Sequence, residues 1–287
     1  MDINYLSSHK NNEPESNVLY IVGTPIGNLS DLSSRALNVL KNASLVACED
    51  TRQTKKIMTK YKFTNNLMSF NKHNSFKKTP GLINLLNSGK SVALVSDAGM
   101  PSICDPGENL VREVRNNNMD VICIPGPCAA TTALVASGLP SSSFIFKGFL
   151  PRKRIEREKV LFEISNHEKT VILFESPNRV MKLMMDLKKY CGGDREVRVF
   201  RELTKKYEEQ IGDNINMILN LFENRKILGE ITVVIKGIDK KEKLKFDKFL
   251  LKKELNELID AGLSLSAASK YLAKKNNLKK NMIYNLH

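Results

Sequence analysis

The sequence is poor in the residues that build disulfide frameworks and metal centres. Its five cysteines, Cys48, Cys104, Cys123, Cys128 and Cys191, are odd in number, show no CxxC spacing and stand mostly among apolar neighbours. That pattern excludes a disulfide scaffold and a zinc site, so no metal is expected. Histidine occurs only four times. No uninterrupted apolar run approaches the roughly 18 residues that a membrane-spanning helix needs. Residues 1–16 are polar, without the apolar centre of a secretion signal. A cytoplasmic protein with no membrane partner is therefore expected, with 1–16 as a flexible lead segment. Low-complexity tracts are also missing, and 41% hydrophobic with 26% charged residues is the composition of a folded chain.

What is present is length and positive charge. A chain of 287 residues exceeds one comfortable core and favours about two domains. The net charge of +14 would help the protein approach an anionic partner such as RNA. Lysine, at 33, far outnumbers arginine, at 12, a bias that overall composition can also produce, so charge alone does not choose between RNA and a solvated surface.

From Val18 the chain alternates short β-branched runs with amphipathic stretches, the signature of α/β architecture with a largely parallel sheet. Strands are predicted at 18–22, 45–48, 91–96 and 121–124, and Asp31 is placed as the cap of a helix carrying Ala36, Leu37 and Leu40. Eight of the ten prolines fall between Pro25 and Pro151, mostly just after predicted strands. The first α/β domain is assigned to 17–140, with a joint at 139–143, where Gly138, Pro140 and three serines interrupt periodicity. The second, 141–238, has strands at 144–147, 170–174, 196–200 and 231–236. Its clearest helix carries Val180, Leu183, Met184 and Leu187 at core-facing spacing. Residues 239–287 form a charged linker, 239–245, and a small three-helix, helix-turn-helix-like tail with twelve lysines against six acids.

Three loops stand where strands end. Gly23-Thr24-Pro25-Ile26-Gly27-Asn28 follows the first strand but lacks the Gly-Lys-Ser/Thr of a Walker loop and the three-glycine dinucleotide fingerprint. It suits a cofactor recognised through adenine, ribose or an amino acid part instead of phosphates. Ser96-Asp97-Ala98-Gly99-Met100-Pro101 and Pro125-Gly126-Pro127-Cys128-Ala129-Ala130 occupy equivalent positions, where ligands of open α/β sheets gather.

These loops, with Glu49-Asp50-Thr51-Arg52, Gly148-Phe149-Leu150-Pro151-Arg152-Lys153, Phe174-Glu175-Ser176-Pro177 and Arg201-Glu202-Leu203-Thr204-Lys205, resemble the ribosomal RNA small subunit methyltransferase I family of the tetrapyrrole methylase superfamily. The similarity runs nearly end to end. It implies S-adenosylmethionine held between two α/β domains, 2'-O-methylation of a cytidine ribose in 16S rRNA at the decoding centre of the small ribosomal subunit, and a homodimer. DNA is not an expected partner. Carried over by residue, the cofactor site comprises Pro25, Asp97, Ala98, Gly99, Met100, Ile103, Cys128, Ala129, Phe149, Leu150, Glu175 and Thr232.

Proton-acceptor candidates are Glu49, Asp50, Glu175 and Glu202, unranked, since each could equally hold an arginine such as Arg52 or Arg201. Arg52 joins Glu49, Asp50 and Glu175 as a catalytic candidate. Arg152, Lys153, Arg154 and Arg157, the densest arginine cluster, are the candidate RNA contacts, because a guanidinium suits phosphate in forked geometry. The chain departs from the family pattern: Met100 replaces threonine, Cys128 serine, and Asn178 the histidine after Glu-Ser-Pro. Residues 71–75 also lack the family's acidic positions. Asn178 cannot accept a proton, so a mechanism with a histidine base there fails in this chain. The competing readings are a corrin or diphthamide methylase of the same superfamily, and a non-catalytic ribosome-assembly factor.

Overall fold

The computed structural model describes residues 13–276 and 278–287, with the side chains of 240–247 outside that description. Most of the expected lead segment lies outside the described residues. Residues 13–16, included in it, begin with a docked residue. The Glu13 carboxylate accepts two hydrogen bonds from Arg35, at 2.7 and 2.5 Å, and its backbone carbonyl accepts one from Asn38.

The first sheet is wholly parallel. Its strands are β1 (Val18–Val22), β2 (Leu45–Cys48), β3 (Leu67–Ser69), β4 (Val92–Val95) and β5 (Asp120–Ile124), in the order β3-β2-β4-β1-β5. β1 and β4 are buried along their whole length, as continuous apolar strands covered on both faces should be. Alternate residues serve opposite faces. Val18, Tyr20 and Val22 pack with α1 (Ser34–Asn42) and α2 (Thr51–Lys60), while Leu19 and Ile21 pack with α3 (Ser75–Asn87) and α4 (Glu108–Asn116). The cap of α1 is Ser33, whose hydroxyl accepts from the Ala36 amide at 3.1 Å, and not Asp31. Asp31 is taken up by a single 3-10 turn, Leu29–Asp31, that the sequence periodicity does not announce.

α5 (Ala129–Ser137) ends on Gly138 in the left-handed region, φ +69°, a conformation glycine adopts without a Cβ clash. The second sheet then begins. Its strands are β6 (Phe144–Phe149), β7 (Thr170–Glu175), β8 (Val197–Arg201), β9 (Glu209–Ile211) and β10 (Ile231–Ile235), ordered β6-β7-β10-β8-β9. The expectation of largely parallel pairing fails here. Only β6 and β7 pair in parallel, whereas β10 inserts between β7 and β8 and runs antiparallel to both. A fully buried strand such as Ile231-Thr232-Val233-Val234-Ile235 carries no direction in its sequence. One face of this sheet, through Val171, Leu173 and Val233, packs on α6 (Arg154–Asn166), α7 (Pro177–Cys191) and α8 (Ile215–Phe222). The other, through Ile172, Phe200 and Val234, packs on Ala130, Ala133 and Leu134 of α5, joining the two halves.

Residues 239–245, expected as a linker, run directly into helix α9 (Lys240–Asp260). With α10 (Leu265–Lys275) and α11 (Lys280–Tyr284) it forms a separate small core around Leu255, Leu272 and Ile283. Among the described residues, no helix is long and apolar enough to cross a membrane.

Candidate active site

The three strand-end loops are bolted to one another. Thr24 and Gly99 exchange backbone hydrogen bonds at 2.9 and 3.1 Å, and the Thr24 hydroxyl donates to the carbonyls of Ser96 and Gly99. Gly23 and Gly126 face each other so closely that a Cβ on Gly23 would lie 2.6 Å from the Gly126 Cα. The connections after β1 and β4 leave toward opposite faces of the sheet, with α1 on one and α4 on the other. Space therefore opens above the adjoining ends of these two strands.

That space continues into a cavity of about 640 Å³ between the two sheets. Of the residues singled out in the sequence, Glu49, Asp97, Ala98, Gly99, Met100, Ile103, Cys128, Ala129, Phe149, Glu175, Glu202 and Thr232 line it together. Strand β6 explains the placing of Phe149. A register shift between Phe146 and Gly148, with Gly148 at φ +62°, turns Phe149 toward the cavity and Leu150 into the core of the second half. Phe149 meets Phe174 edge to face, centroids 5.7 Å apart, and Phe174 meets Phe146 likewise at 4.9 Å. An aromatic wall results.

Several expected site residues stand elsewhere. Pro25 is buried in its loop and Leu150 in the core, so neither lines the cavity. Asp50 caps α2, accepting from the Arg52 amide at 2.8 Å, and holds the exposed Arg52 guanidinium at 2.6 Å. That pairing keeps the Asp50 carboxyl down at about 2, too weak a base for the proton-acceptor role. The Asp50 backbone amide donates to Asp97 Oδ1 at 2.9 Å. Arg157 is the clearest correction. It is only 6% exposed and faces Glu175 and Asp186 inside the second half, whereas Arg152, Lys153 and Arg154 are exposed.

Sequence reasoning gave no role to Ile26, Cys104, Asp105, Phe174, Lys205 and Glu230, which also line the cavity. Lys205 and Phe174 sat within motifs already recognised; Asp105 and Glu230 had no local signal. Burial raises the carboxyls of Glu49, Asp97 and Asp105 above their ordinary range, with neighbouring carboxylates adding to it. At Glu202 burial acts in the same direction, but hydrogen bonds from Lys205 and the Glu230 amide outweigh it and lower the carboxyl. Lys205 donates to Glu202 at 2.9 Å and to Glu230 at 3.0 Å, and these partners raise its pKa despite burial. Lys205 therefore remains a cation.

Glu175 is 2% exposed; its Oε1 accepts from the Ser176 amide at 2.9 Å, while its Oε2 has no hydrogen-bond partner. The cavity is thus apolar on its aromatic side and acidic on the other.

Residues 18–216 match the family described as Tetrapyrrole (Corrin/Porphyrin) Methylases. A "Ribosomal RNA small subunit methyltransferase I" of Thermotoga maritima is 45% identical over 76% of this chain and 98% of its own. One from Synechocystis is 38% identical over 94% and 96%. The chain belongs to the small subunit methyltransferase I family of tetrapyrrole methylases. The fold is shared more widely. A Thermus thermophilus uroporphyrin-III C-methyltransferase, solved with S-adenosylhomocysteine, superposes with a TM-score of 0.53 at 16% identity, covering 75% of this chain and 96% of that one.

The methylases of this family depend on S-adenosylmethionine, and the residues present fit that cofactor. Its sulfonium and ammonium are cations, matched by the acidic wall. Glu175 adds a buried carboxylate behind the lining, where its Oε2 stands 3.7 Å from Arg157 Nη1.

Proposed function

We propose that this methylase transfers a methyl group to the ribose 2'-oxygen of a cytidine in 16S rRNA, at the decoding centre of the small ribosomal subunit, and acts as a homodimer in the cytoplasm. The observation that carries the reading is a contrast of charge. The cavity is lined by Glu49, Asp97, Asp105 and Glu230, whereas the exposed Arg152, Lys153 and Arg154 follow Phe149 in the chain. An acidic interior suits a cationic methyl donor, and a basic exterior suits a polyanion. Among the described residues, Lys153 and Arg154 form exposed pairs with Glu156 at 3.5 Å and Glu158 at 3.0 Å. Such pairs are worth about 0 to 1 kcal/mol, so exchanging them for phosphate costs little.

When bound, S-adenosylmethionine supplies an electrophilic methyl on sulfur. The residues that would hold it are the Asp97–Met100 loop, Ile103, Cys128, Ala129, Phe149, Glu175 and Thr232. Met100 and Cys128, which lack the family's hydroxyls, leave the contacts of their two loops to backbone atoms. The aromatic wall and Ile103 exclude water, so the incoming hydroxyl competes with little solvent. Glu49 is the proton acceptor. Its carboxyl is raised above its ordinary range, chiefly by burial, which suits a general base better than the arginine-held Asp50. Lys205 stays protonated and orients Glu202 and Glu230.

The test is transfer of labelled methyl to small subunits lacking the modification, followed by nuclease digestion and mass spectrometry. Label on a cytidine ribose is expected. Label on a cytosine ring, or transfer only to a tetrapyrrole or a protein, would overturn the reading. Sedimentation at assay concentration tests the dimer.

A further inference from the structure

The turn after β3 lies outside the site described so far. Strands β2 and β3 run in parallel, with Cys48 beside Ser69, and the Phe70 amide donates to the Cys48 carbonyl at 2.7 Å. Glu49 of the cavity and the turn after Phe70 therefore leave the sheet at the same carboxyl end. The turn is braced from within. Asn71 and Asn74 exchange side-chain-to-backbone hydrogen bonds at 2.9 and 3.2 Å, and both amides reach the Ser69 hydroxyl. Lys78 is tied to the Ser69 carbonyl at 2.7 Å.

Just beyond this braced turn, in the first turn of α3, Phe76 is 84% exposed. Lys72, His73 and Lys77 are exposed around it, and residues 71–78 contain no acid. Among the described residues neither Lys72 nor Lys77 has a salt-bridge partner within 4.0 Å. The charge of Lys72 nevertheless acts on Glu49 and Asp105 of the cavity, which puts it within electrostatic reach of the mouth. An aromatic face left in water beside unpaired cations is the arrangement that binds single-stranded nucleic acid, the ring stacking on a base and the cations meeting phosphates.

We propose that residues 72–77 form a second RNA-binding lip of the cavity, with Phe76 stacking on an unpaired base near the target nucleotide and Lys72 and Lys77 contacting its flanking phosphates. The proposal rests on the reading of the substrate as RNA. A second copy of this chain is a poorer occupant, because a two-fold contact at this lip would bring its own cations together without an acid to meet them. With Arg152, Lys153 and Arg154 on the other half, the strand would be gripped from both sides of the mouth.

The probe is a short labelled single-stranded RNA, measured for binding to the full chain, beside methyl transfer to unmodified small subunits. Phe76→Ala should weaken RNA binding roughly 5- to 100-fold, Phe76→Tyr should restore most of it, and K72A/K77A should lower the salt slope by about 1.4. S-adenosylmethionine affinity should be unchanged in both Phe76 variants. Equal RNA binding and transfer by Phe76→Ala and the parent would overturn the lip while leaving the proposed reaction intact. Failure of the parent itself to bind or methylate RNA would instead remove the reading beneath it. Loss of a dimer on Phe76→Ala, with RNA binding by the remaining monomer unchanged, would assign the face to a second copy and overturn the proposal. Because Phe76 is almost fully exposed, its variants should fold.

Discussion

Arg157 Nη1 stands 3.7 Å from Glu175 Oε2 in the interior of the second half, and neither atom has a hydrogen-bond partner. The same guanidinium donates through Nε to Asp186 at 2.9 Å, and Arg179 Nε lies 3.5 Å from Glu175 Oε1. A buried carboxylate at the cavity wall is thus held between two cations.

Breaking this arrangement should separate Arg157 from its exposed sequence neighbours. Arg157→Met leaves Glu175 and Asp186 short of a partner and should cost about 3 to 5 kcal/mol of stability. Denaturant unfolding, together with weakened cofactor binding, checks it. Alanine at Arg152, Lys153 and Arg154 should leave stability and cofactor affinity alone. It should reduce the salt slope of RNA binding by up to about 2.

Gly99 is the second point of leverage. Its φ is +80°, and a Cβ there would lie 3.3 Å from Ile26 Cγ2 and 3.4 Å from the Pro127 carbonyl. Gly99→Ala should cost about 1 to 2 kcal/mol from backbone strain. Gly99→Val should also push the loop out of place and abolish cofactor binding in a protein that still unfolds cooperatively. Unaltered calorimetric affinity would remove this loop from the site.

Acidification should weaken cofactor binding in a charge-dependent way. The carboxyls of Glu49, Asp97 and Asp105 titrate above their ordinary values, chiefly through burial. In the free protein, each contributes stability that is complete below its unfolded pKa, about 4, and is lost as pH rises through the raised folded value. A bound cation reverses the preference, because it favours the ionised forms. Affinity for S-adenosylmethionine should therefore fall as pH drops from neutral through that interval. S-adenosylhomocysteine, with an uncharged sulfur, should lose less. Equal losses for the two ligands would show that the acidic wall does not recognise the sulfonium.

The C-terminal helices should be dispensable for cofactor binding. Their core of Leu255, Leu272 and Ile283 is built within residues 251–286, and every residue lining the cavity precedes Ile235. A chain ending at Gly237 should titrate with S-adenosylmethionine as the full chain does. Loss of binding in a folded truncation would contradict this division.

Local pattern by itself determined the α/β alternation, the strands β1, β2, β4, β5, β6, β7, β8 and β10 to within a residue or two, though not the three-residue β3 and β9, and the core stripe of α7. It also marked the loops around Gly99 and Cys128, because period, proline and small residues are features of contiguous sequence. Recognition of the family rested on those same contiguous motifs. Tertiary structure alone decided which member of each neighbouring pair reaches the cavity. Glu49 lines it while Asp50 caps a helix; Phe149 lines it while Leu150 enters the core, after the irregularity at Gly148. Arg157 left its cluster because α6 turns it inward against Asp186, and β10 took its place between β7 and β8 through non-local pairing. Burial, strand direction and the meeting of Glu49 with Asp105 depend on contacts between distant segments, and a one-residue change of register reverses which side chains face inward.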